Sequence, residues 1–480
     1  MTSLRTLVAQ VVILLGLAAL ASGQYSAPVW QILNNPPTFI TDTAMVLTDG
    51  TVMVHEFCTS NWHRLTPDNR GSYLNGTWST LASMPADYGP LYFASAVLPD
   101  GRVLVEGGEY NFCQGAETAQ GAIYDPVRNT WTSVNPPDGW TEIGDAPSVV
   151  LSDGTFMIGQ SGFSPHKASA FFNAINLTWT IKGSGKADAF DEEGMELLPN
   201  GMVLVVDTHD TPNSEVFNPD DSLWTSAGST IVDLASGSEI GPALLRPDGT
   251  VFAMGATGHT AIFNTGPATW EAGPDFPNGD VTADTPAAVL PNGNVLVETA
   301  GLRPPVSLYV FDGTKFFPTP NPHNTGTDGG IAFTGRLLVL PTGQIFFTLA
   351  DGSSMDAEIY TPKVTYQQAW APTIQSAPTT ITRGDTYQIS GTQFNGMTQG
   401  ASYGDDAQMS SNYPLVRVTN NATRHVAYAR THDHSSMGVQ TGSQVVSTSF
   451  DVPETMETGP SSLVVVANGI PSQPVSVTVE

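Results

Sequence analysis

Short apolar segments, each interrupted by a polar residue and a glycine, recur along most of the chain. In Ala96–Val105, for example, Asp100 and Gly101 separate two β-rich segments, which is typical of a β-hairpin. Because the residues on both sides of each turn are apolar, we expect these inner hairpins to be buried between neighbouring sheets. The turn glycines are Gly50, Gly101, Gly154, Gly201, Gly249, Gly293 and Gly343, with spacings of 51, 53, 47, 48, 44 and 50 residues. A period of about 50 residues predicts seven four-stranded blades of a kelch-type β-propeller.

A second hairpin is predicted on the outer side of each blade. After the inner hairpin come an apolar pair, a polar turn and an aromatic residue, as in Ala122–Pro126 leading to Trp131. One large aromatic residue per repeat is best explained by packing between adjacent sheets. The recurring residues are Trp78, Trp131, Trp179, Trp224, Trp270 and Phe317.

The two ends of the chain depart from this period. Arg5 precedes an apolar stretch, Val11–Ala21, that is followed by small residues and is too short for a comfortable membrane span, which is the plan of a secretory signal peptide. From about Ala371, short alternating strands joined by polar turns predict an immunoglobulin-like β-sandwich. We therefore predict an all-β chain: a signal peptide over residues 1–23, a seven-bladed propeller over 24–370 and the sandwich over 371–480. A strand near Val29–Leu33 is expected to complete the last blade.

Charge narrows the range of partners. Acidic residues outnumber basic ones by 45 to 17, and the formal net charge is −28. Nucleic acid is excluded as a partner, because binding it requires clustered Lys and Arg. No segment after the signal peptide is apolar enough to span a membrane, so we expect a secreted, extracellular or periplasmic protein.

The two cysteines follow the inner hairpins of the first and second repeats. Cys58 and Cys113 therefore lie in equivalent loops of adjacent blades. Export permits a disulfide between them, and two unpaired thiols are the alternative.

These features resemble the galactose oxidase and glyoxal oxidase family of copper radical enzymes. The resemblance covers nearly the whole mature chain and includes Tyr92–Val103, Leu337–Phe347 with Ala357–Pro362, and Tyr403-Gly404 in a sandwich of the galactose oxidase carboxy-terminal type. It implies copper held by two tyrosines and two histidines, with one tyrosine joined to a cysteine.

Only Tyr92 matches this ligand set. The cysteine position falls on Thr41, the Tyr-His pair on Phe333 and Thr334, and the sandwich histidine on Gln408. Phe, Thr and Gln do not supply the imidazole and phenolate ligands that copper requires, so we predict no radical copper centre.

The rim of the propeller supplies the candidate site. Residues about nine before and five or more after each turn glycine share one rim, since they lie at the same end of the inner hairpin. Strand starts contribute Tyr92, Asp145, Glu192 and Asp284, whereas strand ends and adjoining loops contribute Glu106, His209 and His259. Such groups can hydrogen-bond to sugar hydroxyls, with Tyr92 and Tyr110 as stacking surfaces, or bind Ca²⁺ through oxygen ligands.

We therefore interpret the chain as a secreted, non-catalytic protein that binds an extracellular polysaccharide or a polar small molecule on an acidic face. Two alternatives stay open. One is an oxidase with a rebuilt metal site that uses His55, His209 and His259. The other is a cell-surface scaffold that binds another protein.

Overall fold

The computed structural model describes residues 29–162, 166–301, 304–323, 331–404, 406 and 409–480. The predicted signal peptide and Gln408 lie outside the described residues. Within them, the elements are strands apart from three single-turn 3₁₀ helices, Pro277–Gly279, Ala332–Thr334 and Gln368–Trp370.

Seven antiparallel sheets form the blades of the propeller, as the turn spacing predicted; six have four strands, and the sheet of blade 6 gains a fifth strand from the carboxy-terminal part of the chain. Blade 1 contains Thr41–Val46, Val52–Glu56, Trp62–Thr66 and Thr77–Thr80, and blade 2 contains Ala94–Val97, Val103–Glu106, Gly121–Asp125 and Thr130–Val134. Blade 3 contains Ser148–Val150, Phe156–Gly159, Ser169–Asn173 and Thr178–Lys182, and blade 4 contains Glu196–Leu197, Val203–Val206, Asn213–Asn218 and Leu223–Ser229. Blade 5 contains Ala243–Leu245, Thr250–Met254, Thr260–Asn264 and Thr269–Ala272, and blade 6 contains Ala287–Val289, Val295–Thr299, Ser307–Phe311 and Phe316–Thr319.

The ring is closed by strands from its two ends. Blade 7 combines Gly335–Val339, Ile345–Leu349 and Ala357–Thr361 with the amino-terminal strand Val29–Ile32. Val29 pairs with Thr361 and Ile32 with Glu358 in antiparallel register. The expected closing strand is therefore confirmed: Val29–Ile32 covers Ala357–Thr361 and becomes the outer strand of the last blade.

The outer tryptophans pack as their period predicted, whereas Phe317 in blade 6 is exposed, so the packing prediction was wrong for that residue. Trp131 contacts Tyr124, Trp179 contacts Phe172 and Trp224 contacts Phe217, with ring centroids 5.1, 4.9 and 5.1 Å apart. The same tilted ring contact recurs between strands three and four of successive blades. These rings fill space within and between the sheets and are not part of a site.

The sandwich packs on the face of the propeller that carries the hairpin turns. Its strands are Thr373–Ser376, Thr380–Ile381, Thr386–Thr392, Leu415–Asn420, Val426–His432, Val445–Asp451, Gly459–Ala467, Ile470–Pro471 and Val475–Val479. The amide of Thr431 donates to the carbonyl of Thr48, and the amide of Met437 donates to that of Ser152. A Cβ on Gly50, where φ is +74°, would lie 2.4 Å from the ring of Tyr428, so this contact requires glycine.

A segment of the sandwich enters the propeller ring. The strand Ala401–Ser402 pairs with the innermost strand of blade 6, and the Gln399 side chain accepts a hydrogen bond from the Leu197 amide of blade 4. A Cβ on Gly194 would lie 2.0 Å from the Gly404 carbonyl oxygen, so blade 4 also contacts this segment closely. The segment carries Tyr403 and Asp406 through the ring towards the face opposite the sandwich.

Candidate functional site

A cavity of about 400 Å³ lies where the central channel opens on that opposite face. We call it the mouth cavity. It is lined by Phe57, Leu91, Tyr92, Glu109, Tyr110, Cys113, Asp145, Glu192, Glu239, Asp284, Phe333, Tyr403 and Asp406. Every charged residue in this lining is acidic.

The starts of the inner strands aim several of these side chains at the axis. Tyr92, Glu192 and Asp284 each lie nine residues before their turn glycine, and each has a positive φ, of 52°, 58° and 48°. Non-glycine residues rarely adopt this conformation, and it concentrates at functional sites. The repeat therefore places one strained residue at the mouth in each of blades 2, 4 and 6.

Three carboxylates from consecutive blades converge in the cavity. Glu192 of blade 4, Glu239 of blade 5 and Asp284 of blade 6 offer oxygen atoms that all lie within 4.8 Å of one another. Burial, reinforced by the nearby Asp284 and Asp145, raises the pKa of Glu192 to about 11. Burial, reinforced by Glu117 and Asp406, likewise raises the pKa of Asp145. Without a counter-ion Glu192 holds its proton at neutral pH, and a bound cation would favour its ionised form.

Aromatic rings form the other side of the cavity. The rings of Tyr92 and Tyr110 meet edge to face at 6.1 Å, and Phe333 lies 6.3 Å from Tyr92. Tyr110 is held in a small sheet formed by Pro90–Leu91, Tyr110–Asn111 and Gln114–Gly115. An aromatic surface facing a set of oxygen ligands suits a polar ligand with an apolar face, such as a sugar ring.

The disulfide expected from the sequence is present and fixes this wall. Cys58 and Cys113 are bonded, with their Cα atoms 5.4 Å apart, so the alternative of two free thiols was wrong. The bond joins the loop that follows the inner hairpin of blade 1 to the loop that carries Glu109 and Tyr110.

A buried cation, Arg336, lies behind the aromatic residues that line the cavity. The Arg336 guanidinium lies 4.1 Å from the ring centre of Tyr403 and 5.4 Å from that of Tyr92, and 3.8 Å from Asp42. Burial raises the pKa of Tyr92, and Arg336 offsets only part of this effect, so the phenol stays neutral at physiological pH. Tyr403 donates its hydroxyl hydrogen to the Phe333 carbonyl. The guanidinium therefore places a fixed positive charge against both phenol rings.

The structure brings four of the seven predicted site residues together. Tyr92, Asp145, Glu192 and Asp284 all line the mouth cavity. Glu106 was wrong as a rim residue: its side chain is fully buried inside blade 2, opposite Gly121. Five residues after the turn glycine the strand is still covered by its neighbours, so Glu106 cannot reach a ligand.

The predicted histidines lie outside the lining of the cavity, and each has its own carboxylate partner. His209 pairs with Asp191 at 3.1 Å, and His259 with Asp275 at 2.7 Å. His55 is buried against Asp42 at 2.9 Å. Among the described residues, no histidine belongs to a group of three converging metal-ligand side chains. The rebuilt histidine site is therefore not assembled in this part of the chain.

A second acidic group, in blade 4, is neutralised internally. Glu193 and Asp207 converge with Asp188, but the Lys186 ammonium lies 3.0 Å from Glu193 and 2.6 Å from Glu215. The lysine already supplies a cation to these carboxylates. The dense acidic sequence around Asp207 is thus a structural ion-pair network.

Two important lining residues do not follow from the nine-residue register. Glu239 lies ten residues before Gly249, one position away from the register that identified the others. Asp406 comes from the sandwich, and only contact across the ring places it in the cavity. A count that allowed eight to ten residues before each turn glycine would have found Glu239.

The fold and site together define the class of protein: a kelch-type seven-bladed propeller with a carboxy-terminal β-sandwich, the architecture of galactose-oxidase-like proteins. No family model matches the chain. The kelch-like protein terF of Aspergillus terreus is 34% identical over 89 residues, which are 18% of each protein. The chain thus matches less than a fifth of this curated relative.

Solved structures show the same architecture. A fungal alcohol oxidase of the AA5 family, in complex with copper, aligns with a TM-score of 0.54 and 15% identity over 94% of this chain and 98% of that one. The extracellular domain of a putative hybrid two-component system of B. thetaiotaomicron aligns with a TM-score of 0.50 and 11% identity over 95% of this chain and 59% of that one. At these identities the likeness establishes the fold alone.

One further observation concerns membrane-spanning helices. No helix among the described residues has the length and apolar character needed to cross a bilayer.

Proposed function

We propose that this chain is a secreted, non-catalytic binding protein whose mouth cavity holds an extracellular carbohydrate or a similar polar ligand. The observation that carries the proposal is the lining itself, in which carboxylates from blades 3 to 6 face the rings of Tyr92 and Tyr110. Carboxylates accept hydrogen bonds from sugar hydroxyls, and aromatic faces cover the apolar face of a sugar ring. The signal-peptide pattern and the Cys58–Cys113 disulfide support export.

Retention on polysaccharides tests this proposal. Purified mature protein should be retarded in gels containing a soluble extracellular polysaccharide, and Glu192→Gln should weaken the retention at least tenfold while leaving the melting temperature nearly unchanged. Glu271→Gln is the matched control, because Glu271 is exposed on the outer strand of blade 5. Retention that is equal in the two variants would place binding elsewhere and favour the scaffold alternative.

The converging carboxylates favour a second role for the same cavity, as a Ca²⁺ site. Glu192, Glu239 and Asp284 supply oxygen ligands within 4.8 Å of one another, and Ca²⁺ takes six to eight such ligands. The cation would replace the protons that burial holds on Glu192. This role is an alternative to the binding of a positively charged ligand at Glu239.

Calorimetry tests the cation role. We expect one Ca²⁺ to bind with a dissociation constant of about 0.1–1 mM, in the range of extracellular Ca²⁺ modules, and to raise the melting temperature by mass action. Glu239→Gln should abolish both effects.

Copper loading followed by an oxidant should give no tyrosyl radical signal, because Arg336 lies beside Tyr92. Such a signal would instead support the oxidase alternative.

A further inference from the structure

A second cavity opens beside the mouth cavity on the same face of the propeller. Its volume is about 330 Å³, and it lies between blades 5 and 6. Glu239 lines both cavities, so they meet at this carboxylate. The remaining lining residues are Ser236, Ala256, Gly279, Asp280, Val281, Ala283, Ala300, Pro304 and Pro305.

The two cavities together form one continuous depression, which we call the paired cleft. Carboxylates occur along its length. At its outer end, Asp280 accepts hydrogen bonds from the Tyr309 hydroxyl at 2.9 Å and from the Thr299 hydroxyl at 3.2 Å, both on Oδ2. At the junction, Oε2 of Glu239 is shielded from solvent and has no hydrogen-bond partner among the described residues. An unsatisfied buried carboxylate oxygen is costly, and a donor on a ligand would satisfy it.

The charge of the lining limits the kind of ligand that the two cavities can bind. Neither cavity is lined by a described Lys, Arg or His, whereas acidic groups occur in both. A polyanionic chain would be repelled, and a single sugar would fill only one cavity. Positive charges spaced along a chain would pair with Glu239 and Asp280 in turn.

We propose that the paired cleft binds a linear chain of amino sugars, with one unit against Tyr92 and Tyr110 and later units passing Glu239 to Asp280. This inference rests on the proposed function and specifies its ligand as a cationic oligosaccharide. The units are linked, so occupation of the second cavity follows that of the first at high effective concentration. Affinity therefore increases with chain length until both cavities are filled.

A length series of glucosamine oligomers, from one to six units, tests the inference by calorimetry on the intact mature protein. The tetramer should bind at least tenfold more tightly than the monomer, and the fully N-acetylated tetramer should bind at least tenfold more weakly than the free-amine tetramer. Asp280→Asn keeps an oxygen acceptor for Tyr309 and Thr299, and Ala256→Trp fills the second cavity. Each variant should remove the length gain and leave monomer binding within twofold of wild type.

Each other outcome overturns the inference in a recognisable way. Equal affinity for monomer and tetramer would show that the second cavity is not used, although the proposed function would stand. Equal affinity for the acetylated and free-amine tetramers would exclude recognition of the amino groups. Retention on a neutral polysaccharide without any glucosamine binding would overturn this inference alone, whereas loss of all carbohydrate binding would overturn the proposed function as well.

Discussion

Removing the Cys58–Cys113 disulfide is expected to lower the free energy of unfolding by about 4 kcal/mol. The bond closes a loop with a sequence separation of 55 residues between blades 1 and 2. Without it the unfolded chain gains conformational entropy, and the loops that carry Phe57 and Tyr110 lose their covalent link. Guanidinium unfolding of the Cys58→Ser, Cys113→Ser double variant measures the loss as a shift of the midpoint.

Reduction of the wild-type protein is the control for this experiment. A thiol reductant should shift the wild-type midpoint to that of the double variant and should leave the variant itself unchanged. A variant as stable as the oxidised wild type would show that the bond does not contribute to the free energy of unfolding.

The second large effect concerns pH, because buried carboxyl groups lie inside the blades. Glu298 is fully buried, and neither of its oxygens has a hydrogen-bond partner among the described residues. Burial raises the pKa of Glu298 to about 8, and Arg336 offsets part of the rise. Burial likewise raises the pKa of Glu196 to about 8, while a hydrogen bond from the Leu245 amide opposes the rise. These acids keep their protons in the folded state and lose them on unfolding at neutral pH.

Stability should therefore fall as pH rises between about 4.5 and 8. In this window the folded state binds more protons than the unfolded one, and each such group contributes a slope of roughly 1.4 kcal/mol per pH unit. Glu298→Gln cannot ionise and nearly keeps the shape of the acid, so its stability relative to wild type should increase across the window. Denaturation at pH 5, 6.5 and 8 measures the difference.

An exposed glutamate provides the comparison for the pH series. Glu454 lies in solvent on the sandwich, so Glu454→Gln should leave the pH slope of the protein unchanged. A constant difference between Glu298→Gln and wild type at all three pH values would mean that Glu298 is not protonated in the folded state.

The fold could be predicted from the sequence because its signal is local and repeated. A turn such as Asp100-Gly101 with apolar segments on both sides specifies a hairpin without knowledge of the rest of the chain. Seven copies at a steady spacing then leave few architectures other than a closed ring. The strand Val29–Ile32 could be predicted in the same way, because it has the strand pattern but no hairpin partner next to it in the sequence.

The site could be predicted only in part, because burial is not a local property. Counting from the turn glycines found Tyr92, Asp145, Glu192 and Asp284, which share one register at the strand starts. The same count also included Glu106, since its position at a strand end does not reveal that the neighbouring strand covers it. Burial of that kind depends on the packing of whole blades.

The remaining site residues depend on contacts between distant segments. Arg336 has no sequence signature as a partner of Tyr92 and Tyr403. Asp406 reaches the cavity only because the sandwich segment enters the ring. Long-range contacts of this kind are invisible to spacing rules.

The entry of the sandwich segment into the ring determines how solutes can reach the mouth cavity. Ala401–Ser402 pairs with blade 6, and Gly404 lies against Gly194 of blade 4, so the axis is occupied by the chain itself. The mouth is a blind end, and solutes must arrive and depart by the same side. A long polymer can lie across this surface but cannot be threaded through the disc.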